Sequence, residues 1–410
     1  MTRFKELQIE GWRQFGSVQI EFHPRATVIT GANGSGKTTL LSILSQHFGW
    51  APSFIGTPRI DRRGALKYFS GFYSVFAEGN IDVGKLTYDD GAVATLQSPA
   101  EGASFRVSIR GSQRIRGIYI TSHRPVYTYQ PVKEIPTEVQ AGDQLFDQYL
   151  TTIRQYHQPN TRIQSPSHRL KAALISLATF GYGNKVVEPN DEASETFEGF
   201  SKVLNDVLPP NLGFSRIAIR MPEVILETET GDFSLDAASG GIAALVDVAW
   251  QIYMRSRSGE NFTVLIDEPE NHLHPSLQRS VLPGLLAAFS QAQFIISTHN
   301  PFVVTSVRDS NVIALDFVDG RVQSANLLNV NRSANANQIL TEVLGVPFPV
   351  PLWVEDEVEK IVNSVRDEDL TAELLATLKE RLNLIGLGHL FPEVIDRLLP
   401  TGETDQGDSR

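Results

Sequence analysis

The chain has 410 residues, 41% of them hydrophobic and 20% charged, with a net charge of −11 at pH 7. That balance fits a soluble globular protein of two or three structural units, and it excludes a uniformly basic nucleic-acid surface. With no cysteine there is no disulfide, thiolate metal site or cysteine nucleophile; no apolar signal core opens the chain, and no run approaches the ~20 apolar residues of a membrane span, so a cytoplasmic protein without a membrane partner is expected.

Residues 3–30 read as strands. Phe4, Leu7 and Ile9, then Val18, Ile20 and Phe22, alternate with polar positions, and Thr27-Val28-Ile29 follows as an apolar strand. It runs into Gly31-Ala32-Asn33-Gly34-Ser35-Gly36-Lys37-Thr38, with Thr39 opening a helix-like run to Leu44. This is the G-x-x-x-x-G-K-[ST] phosphate loop in its strand-to-helix context. Glycine at 31, 34 and 36 lets backbone N–H groups turn onto a phosphate, and the helix start adds donors and partial positive charge. Lys37 can reach the β- and γ-phosphates of a nucleotide in such a loop, and the Thr38 hydroxyl can ligate Mg²⁺.

From residue 64 to 120 short apolar runs recur between turn residues, at 72–76, 86–88, 93–96, 105–109 and 118–120. They predict an antiparallel β-subdomain. Residues 137–211 change character: 145–157, 170–180 and 197–208 carry helix-spaced apolar positions, which predicts a helical insert. Strands are expected at 217–219, 224–227 and 233–235, and alternating strands and helices from 262 to 315 predict a parallel core sheet. Val346-Pro347-Phe348-Pro349-Val350-Pro351 breaks the chain before a short helical tail, 346–410. The expected divisions are thus a discontinuous head, 1–136 and 212–345, the insert, and the tail.

Three further motifs carry chemistry. Phe262-Thr263-Val264-Leu265-Ile266-Asp267-Glu268-Pro269 is a buried strand ending in two carboxylates, where Asp267 can hold Mg²⁺ beside Thr38 and Glu268 can polarise water. Ser239-Gly240-Gly241 opens a helix-like run, 242–254, and is either a second anion site or a plain glycine-rich cap. His299, in the turn after Phe294-Ile295-Ile296-Ser297-Thr298, can donate to a γ-phosphate or be structural.

In this order the four motifs resemble the ATP-binding-cassette (ABC) ATPase head. The resemblance implies an α/β fold: a P-loop head with an antiparallel β-subdomain, a helical insert and a short helical C-terminal tail. The wording from Asp267 to Pro275, with Asn271, His272 and His274, and the opening Gly11-Trp12-Arg13-Gln14-Phe15, are similar to the branch of RecF-type repair ATPases, structural-maintenance-of-chromosomes (SMC) heads and the overcoming-lysogenization-defect family. The arrangement looks most like stand-alone anti-phage ATPases of the Septu type, which work beside a separate nuclease.

The resemblance assigns Lys37, Thr38 and Asp267 to phosphate and Mg²⁺, Glu268 to the attacking water and His299 to the γ-phosphate. It implies that Ser239, Gly240 and Gly241 grip ATP held by a second copy, in a head-to-tail homodimer with residues 270–274 along the seam. Ile242 stands where the family has Gln or Glu, and Gln130 is the candidate for the glutamine loop.

Other readings compete. His272-x-His274 has the look of a metal pair, but the resemblance makes it a dimer-contact loop. Residues 352–357 resemble the opening of a TOPRIM nuclease domain, yet too little chain follows, so a capped acidic helix is expected and no cutting by this chain. Arg106, Arg110, Arg114, Arg116 and Arg124 lie in a stretch without acids and suit either DNA phosphates or one solvated face; Phe105, Tyr119 and Tyr127 read as core. An ATP-bound scaffold with negligible turnover, a DNA repair ATPase and a transporter engine remain as alternatives.

Overall fold

The computed structural model describes residues 2–60, 64–71, 79–124, 129–137, 143–156, 165–327, 352–365, 371–384, 387–388 and 391–398. They fall into two compact units, Met1–Gly345 and Val346–Arg410.

One 11-stranded sheet organises the first unit. Its order is Ser108–Arg110, Val93–Pro99, Asn80–Tyr88, Phe4–Glu10, Phe15–Glu21, Arg321–Asn326, Asn311–Val318, Ala26–Gly31, Ala292–Ser297, Phe262–Asp267 and Gly117–Ile120. The first four neighbouring pairings are antiparallel, and Asn311–Val318 through Gly117–Ile120 pair in parallel. Every residue of Ala26–Gly31, Phe262–Asp267 and Ala292–Ser297 is buried, as strands covered on both faces must be. Alternation splits them between two cores. Val28, Val264, Ile266, Phe294 and Ile296 join a core with the helices of 143–256. Ile29, Leu265 and Ile295 join one with the N-terminal strands and α1, Lys37–Ser45.

The strands of the expected antiparallel β-subdomain continue the core sheet through Phe4–Glu10. One sequence expectation changes. Gly117–Ile120, read with that subdomain, instead closes the parallel edge beside Phe262–Asp267. All four of its residues are buried, and only a side-chain-free residue fits at 117, where an added Cβ would meet the Phe48 ring and the Thr263 carbonyl oxygen at 2.4 Å. A hairpin of Thr57–Ile60 and Leu66–Phe69 shows no alternation and was not expected. The run 72–76 lies outside the described residues.

The insert supplies α2, Asp143–Tyr156, α3, Pro166–Tyr182, and α4, Asp191–Val207. Ser165 and Asn190 cap α3 and α4 by accepting from His168 N and Ala193 N, and α4 buries Phe197, Phe200, Val203 and Leu204 at helical spacing. Helix α5, Gly240–Ser256, packs on α2 and α4 with Trp250 fully buried against Phe200. The second unit is a small helical cluster of Leu352–Val365, Ala372–Leu384 and Phe391–Leu398 around Val358, Leu378, Leu382 and Val394.

Gly117→Ala is expected to lower stability by about 1–3 kcal/mol, the usual cost of overpacking. Urea unfolding checks this; an unchanged midpoint refutes the edge placement of Gly117–Ile120.

Candidate active site

Three parallel strands end side by side. Asp267 is in register with Ser297, and Ser297 with Ile29. The phosphate loop leaves the end of Ala26–Gly31, and Ala292–Ser297 lies between that strand and Phe262–Asp267. Gly31, Gly34 and Gly36 all adopt positive φ, +144°, +81° and +98°. A Cβ at Gly31 would lie 2.3 Å from the Leu315 carbonyl oxygen, and one at Gly36 would strike the Phe15 ring at 2.4 Å and Gln14 Nε2 at 2.6 Å. Glycine is thus required by conformation and by space at both positions. The Gly11–Phe15 segment, noted in the sequence only for its family wording, is the floor under the loop.

Lys37 is buried and its Nζ donates to the carbonyls of Gly31 (2.7 Å) and Ala32 (3.0 Å). Burial lowers its pKa, opposed by the carboxylates of Glu268, Asp267 and Glu270. Ser35 Oγ, inside the same loop, is buried with no hydrogen-bond partner. Thr38 Oγ1 donates to Asp267 Oδ2 at 2.9 Å, and Ser297 Oγ donates to Asp267 Oδ1. Burial raises the Asp267 pKa, and the hydrogen bonds from Ser297 and Thr38 work against that rise. A hydroxyl and a carboxylate oxygen this close suit a divalent cation with oxygen ligands.

Glu268 follows with φ +49°, a conformation unusual for a side chain with a Cβ. Its backbone is held from both ends: its N–H donates to Ser297 O at 2.9 Å, and its carbonyl accepts from Arg124 Nη2 at 2.8 Å. Its carboxylate lies between His299 Nδ1, 3.1 Å from Oε1, and Asn271 Nδ2, which donates to Oε2 at 2.9 Å. The carboxylate is partly exposed, as is His299. Glu270 is buried, accepts from Thr298 Oγ1, and has its pKa raised by burial first of all.

Phosphate loop, Asp267, Glu268 and His299 therefore converge. Ser239, Gly240 and Gly241 stand apart at the start of α5, with Ser239 and Gly240 exposed. Ser239 occupies the cap position but its side chain makes no cap bond, which is not how a plain serine cap behaves. The corner faces the segment after Glu268 in the same chain: a Cβ at Gly241 would lie 3.1 Å from the His272 carbonyl oxygen. His274 Nδ1 accepts from Ser276 N at 3.3 Å and caps the helix Pro275–Gln278.

Arg124 corrects the arginine reading. Arg106, Arg110 and Arg114 are exposed, Arg116 pairs with Glu260 at 2.8 Å, and Arg124 is buried. Its guanidinium gathers the carbonyls of Glu268, Pro269 (3.3 Å) and Asn271 (3.1 Å), so it shapes the turn after the acidic pair rather than a nucleic-acid surface. Gln130 is engaged by the insert instead of the site: its Oε1 accepts from Ser165 Oγ at 3.0 Å. Phe105 and Tyr119 are core, and Tyr127 lies outside the described residues.

Residues 94–305 match the family described as "AAA domain, putative AbiEii toxin, Type IV TA system", and residues 6–88 match a second AAA domain. A Septu protein PtuA of Bacillus thuringiensis is 22% identical over 396 residues, covering 90% of this chain and 92% of that one. A "Retron Vc95 probable ATPase" of Vibrio cholerae serotype O1 biovar El Tor is 35% identical over 100 residues, 23% of this chain and 20% of that protein. Among solved structures, the SMC head domain from Thermotoga maritima covers 79% of this chain and 99% of its own at 16% identity and a TM-score of 0.40.

Asn271→Ala removes one of the two groups that fix the Glu268 carboxylate. Turnover is expected to fall about tenfold to 100-fold with the KM for ATP little changed, since only orientation is lost. A KM effect without a kcat effect would refute this role.

Proposed function

This chain belongs to the family described as "AAA domain, putative AbiEii toxin, Type IV TA system", and we propose that it is an ATP-hydrolysing switch that closes as a head-to-tail homodimer around ATP. It is an ABC-type ATPase of the RecF and SMC branch and resembles a Septu protein along 90% of its length. The reading extends to anti-phage defence beside a separate nuclease, on the strength of that relative.

One observation carries the chemistry: Thr38 Oγ1 and Asp267 Oδ2 meet at 2.9 Å where the phosphate loop ends, and Glu268 stands next along the chain, held by His299 and Asn271. In this proposal the backbone N–H groups of residues 31–39 and Lys37 orient the triphosphate. Thr38 and Asp267 would hold Mg²⁺, which would supply charge neutralisation on the phosphates. Glu268 takes the proton of the attacking water, and His299 fixes the Glu268 carboxylate and donates toward the γ-phosphate. The homodimer reading is supported by the exposed, non-capping Ser239 hydroxyl and by a corner that packs on the segment leading away from Glu268. A two-fold pair then contains two such composite sites.

Among the described residues no helix is long and apolar enough to cross a membrane.

Wild-type protein with Mg²⁺ and ATP at a hundred times its dissociation constant should gain about 2.7 kcal/mol of stability. Lys37→Ala should lose that gain, while Glu268→Gln keeps it and releases phosphate far more slowly. A thermal shift equal in Lys37→Ala and wild type would overturn the phosphate-loop assignment. Wild-type turnover no higher than that of Glu268→Gln would favour the scaffold reading instead.

A further inference from the structure

We infer that the helical insert sets the position of the Ser239–Gly241 corner, and that Lys171 is the positioning residue through which it does so. This rests on the proposal that the corner completes an ATP site on a second copy.

Lys171 lies on α3 and its side chain is fully buried. Its Nζ donates to the Gln130 carbonyl at 2.7 Å and to the Asp236 carboxylate, with Glu223 Oε2 at 3.5 Å and the Tyr129 ring centroid at 5.4 Å. Asp236 belongs to the single 3₁₀ turn Leu235–Ala237, directly before the corner, and only 2% of its side chain is exposed. The turn is short and closed: Ala238 N donates to Leu235 O, and Ala243 N then donates to Ser239 O as α5 begins. Only Ala237 and Ala238 separate Asp236 from Ser239.

A second tie grips the same helix further along. Tyr149 of α2 donates to Asp247 Oδ1 of α5 at 2.6 Å, and Gln251 Nε2 donates to Oδ2 at 2.7 Å. Asp247 is buried and two turns after Ser239. Helices α2 and α3 therefore hold α5 at its start and in its body, while Ser239 and Gly240 themselves stay exposed.

Such a pair is a poor choice for stability alone. Desolvating a lysine and two carboxylates offsets most of their attraction, so an apolar trio would hold the fold as well. What the pair adds is direction. Asp236 Oδ1 and Glu223 Oε2 are both buried without a hydrogen-bond partner, so loss of the lysine leaves two carboxylates with nothing between them. Their repulsion moves the Leu235–Ala237 turn, and the corner moves with it.

Complementation between variants tests this. Lys171→Met keeps its own phosphate loop, so its thermal shift with ATP should persist while turnover falls about 100-fold, the scale of a misplacement near 1 Å. Lys37→Ala keeps its corner. Mixing the two in equal amounts should restore about a quarter of wild-type turnover, because half of randomly formed dimers are mixed and each holds one intact site. The control pair is Lys37→Ala with Gly240→Asp, a position where an added Cβ meets nothing within 4 Å, so the acid disturbs only the bound triphosphate. If the control pair complements and Lys171→Met does not, the inference is wrong. If neither pair complements, the composite site is wrong and the inference falls with it. Should Lys171→Met fail to fold, Lys171→Gln, which keeps a polar group but removes the charge between the Asp236 and Glu223 carboxylates, takes its place with the same two outcomes.

Discussion

The in-register ending of three parallel strands is the constraint on which the site depends. Ile29, Ser297 and Asp267 form one row across Ala26–Gly31, Ala292–Ser297 and Phe262–Asp267. Because the row is straight, the first turn of α1 can bring Thr38 onto Asp267, and the residue beyond Asp267 falls next to the turn that carries His299. A slip of one residue would send Asp267 to the opposite face and Ile266 toward the phosphate loop. Close packing opposes that slip: Val264 and Ile266 fill one core and Leu265 the other, and each would have to enter a space shaped for a different neighbour.

The same rigidity carries a cost, concentrated at the edge where chemistry is proposed. Lys37, Asp267 and Glu270 are buried charges, and burial pushes each toward its neutral form. Glu268 sits at positive φ. Its conformation persists because Arg124, Ser297, Asn271 and His299 each hold a different atom of it. Arg124 serves the next turn as well: one guanidinium satisfies three carbonyls that a buried turn could not leave unpaired.

How much of this is legible in the sequence follows from distance along the chain. The phosphate loop, Asp267-Glu268 and His299 sit in short contiguous strings because each is the end of one strand plus the turn after it, whereas the hold of Asn271 on Glu268 emerges only from the structure. The insert helices are legible from their apolar spacing. Arg124 is not, because its partners lie more than 140 residues away and a lone arginine in a stretch without acids reads as solvated. Lys171 is hidden likewise, since its partners Gln130 and Asp236 lie 41 and 65 residues away. Gly117–Ile120 is misread because a four-residue apolar run suits an antiparallel ribbon and a buried parallel edge equally. Ser239 is undecided in the sequence, since cap and anion site need the same residue; in the structure its side chain makes no cap bond.

The two halves of the proposed composite site differ in how they are held. The phosphate loop, Asp267 and Glu268 grow from strands buried on both faces, where packing leaves one arrangement. The corner rides on α5, fixed at its start by a buried ion pair and along its body by Tyr149 on Asp247. Hydrogen-bonded charges of this kind have discrete alternatives, whereas close-packed apolar strands do not. An event on the insert can thus bias the corner without disturbing the loop that holds the triphosphate. Each 1.4 kcal/mol of such bias changes the fraction of aligned sites tenfold where that fraction is small. In the proposed switch, binding and turnover would then depend on different elements of one compact unit, so that a loaded state could persist until a signal reaches the corner.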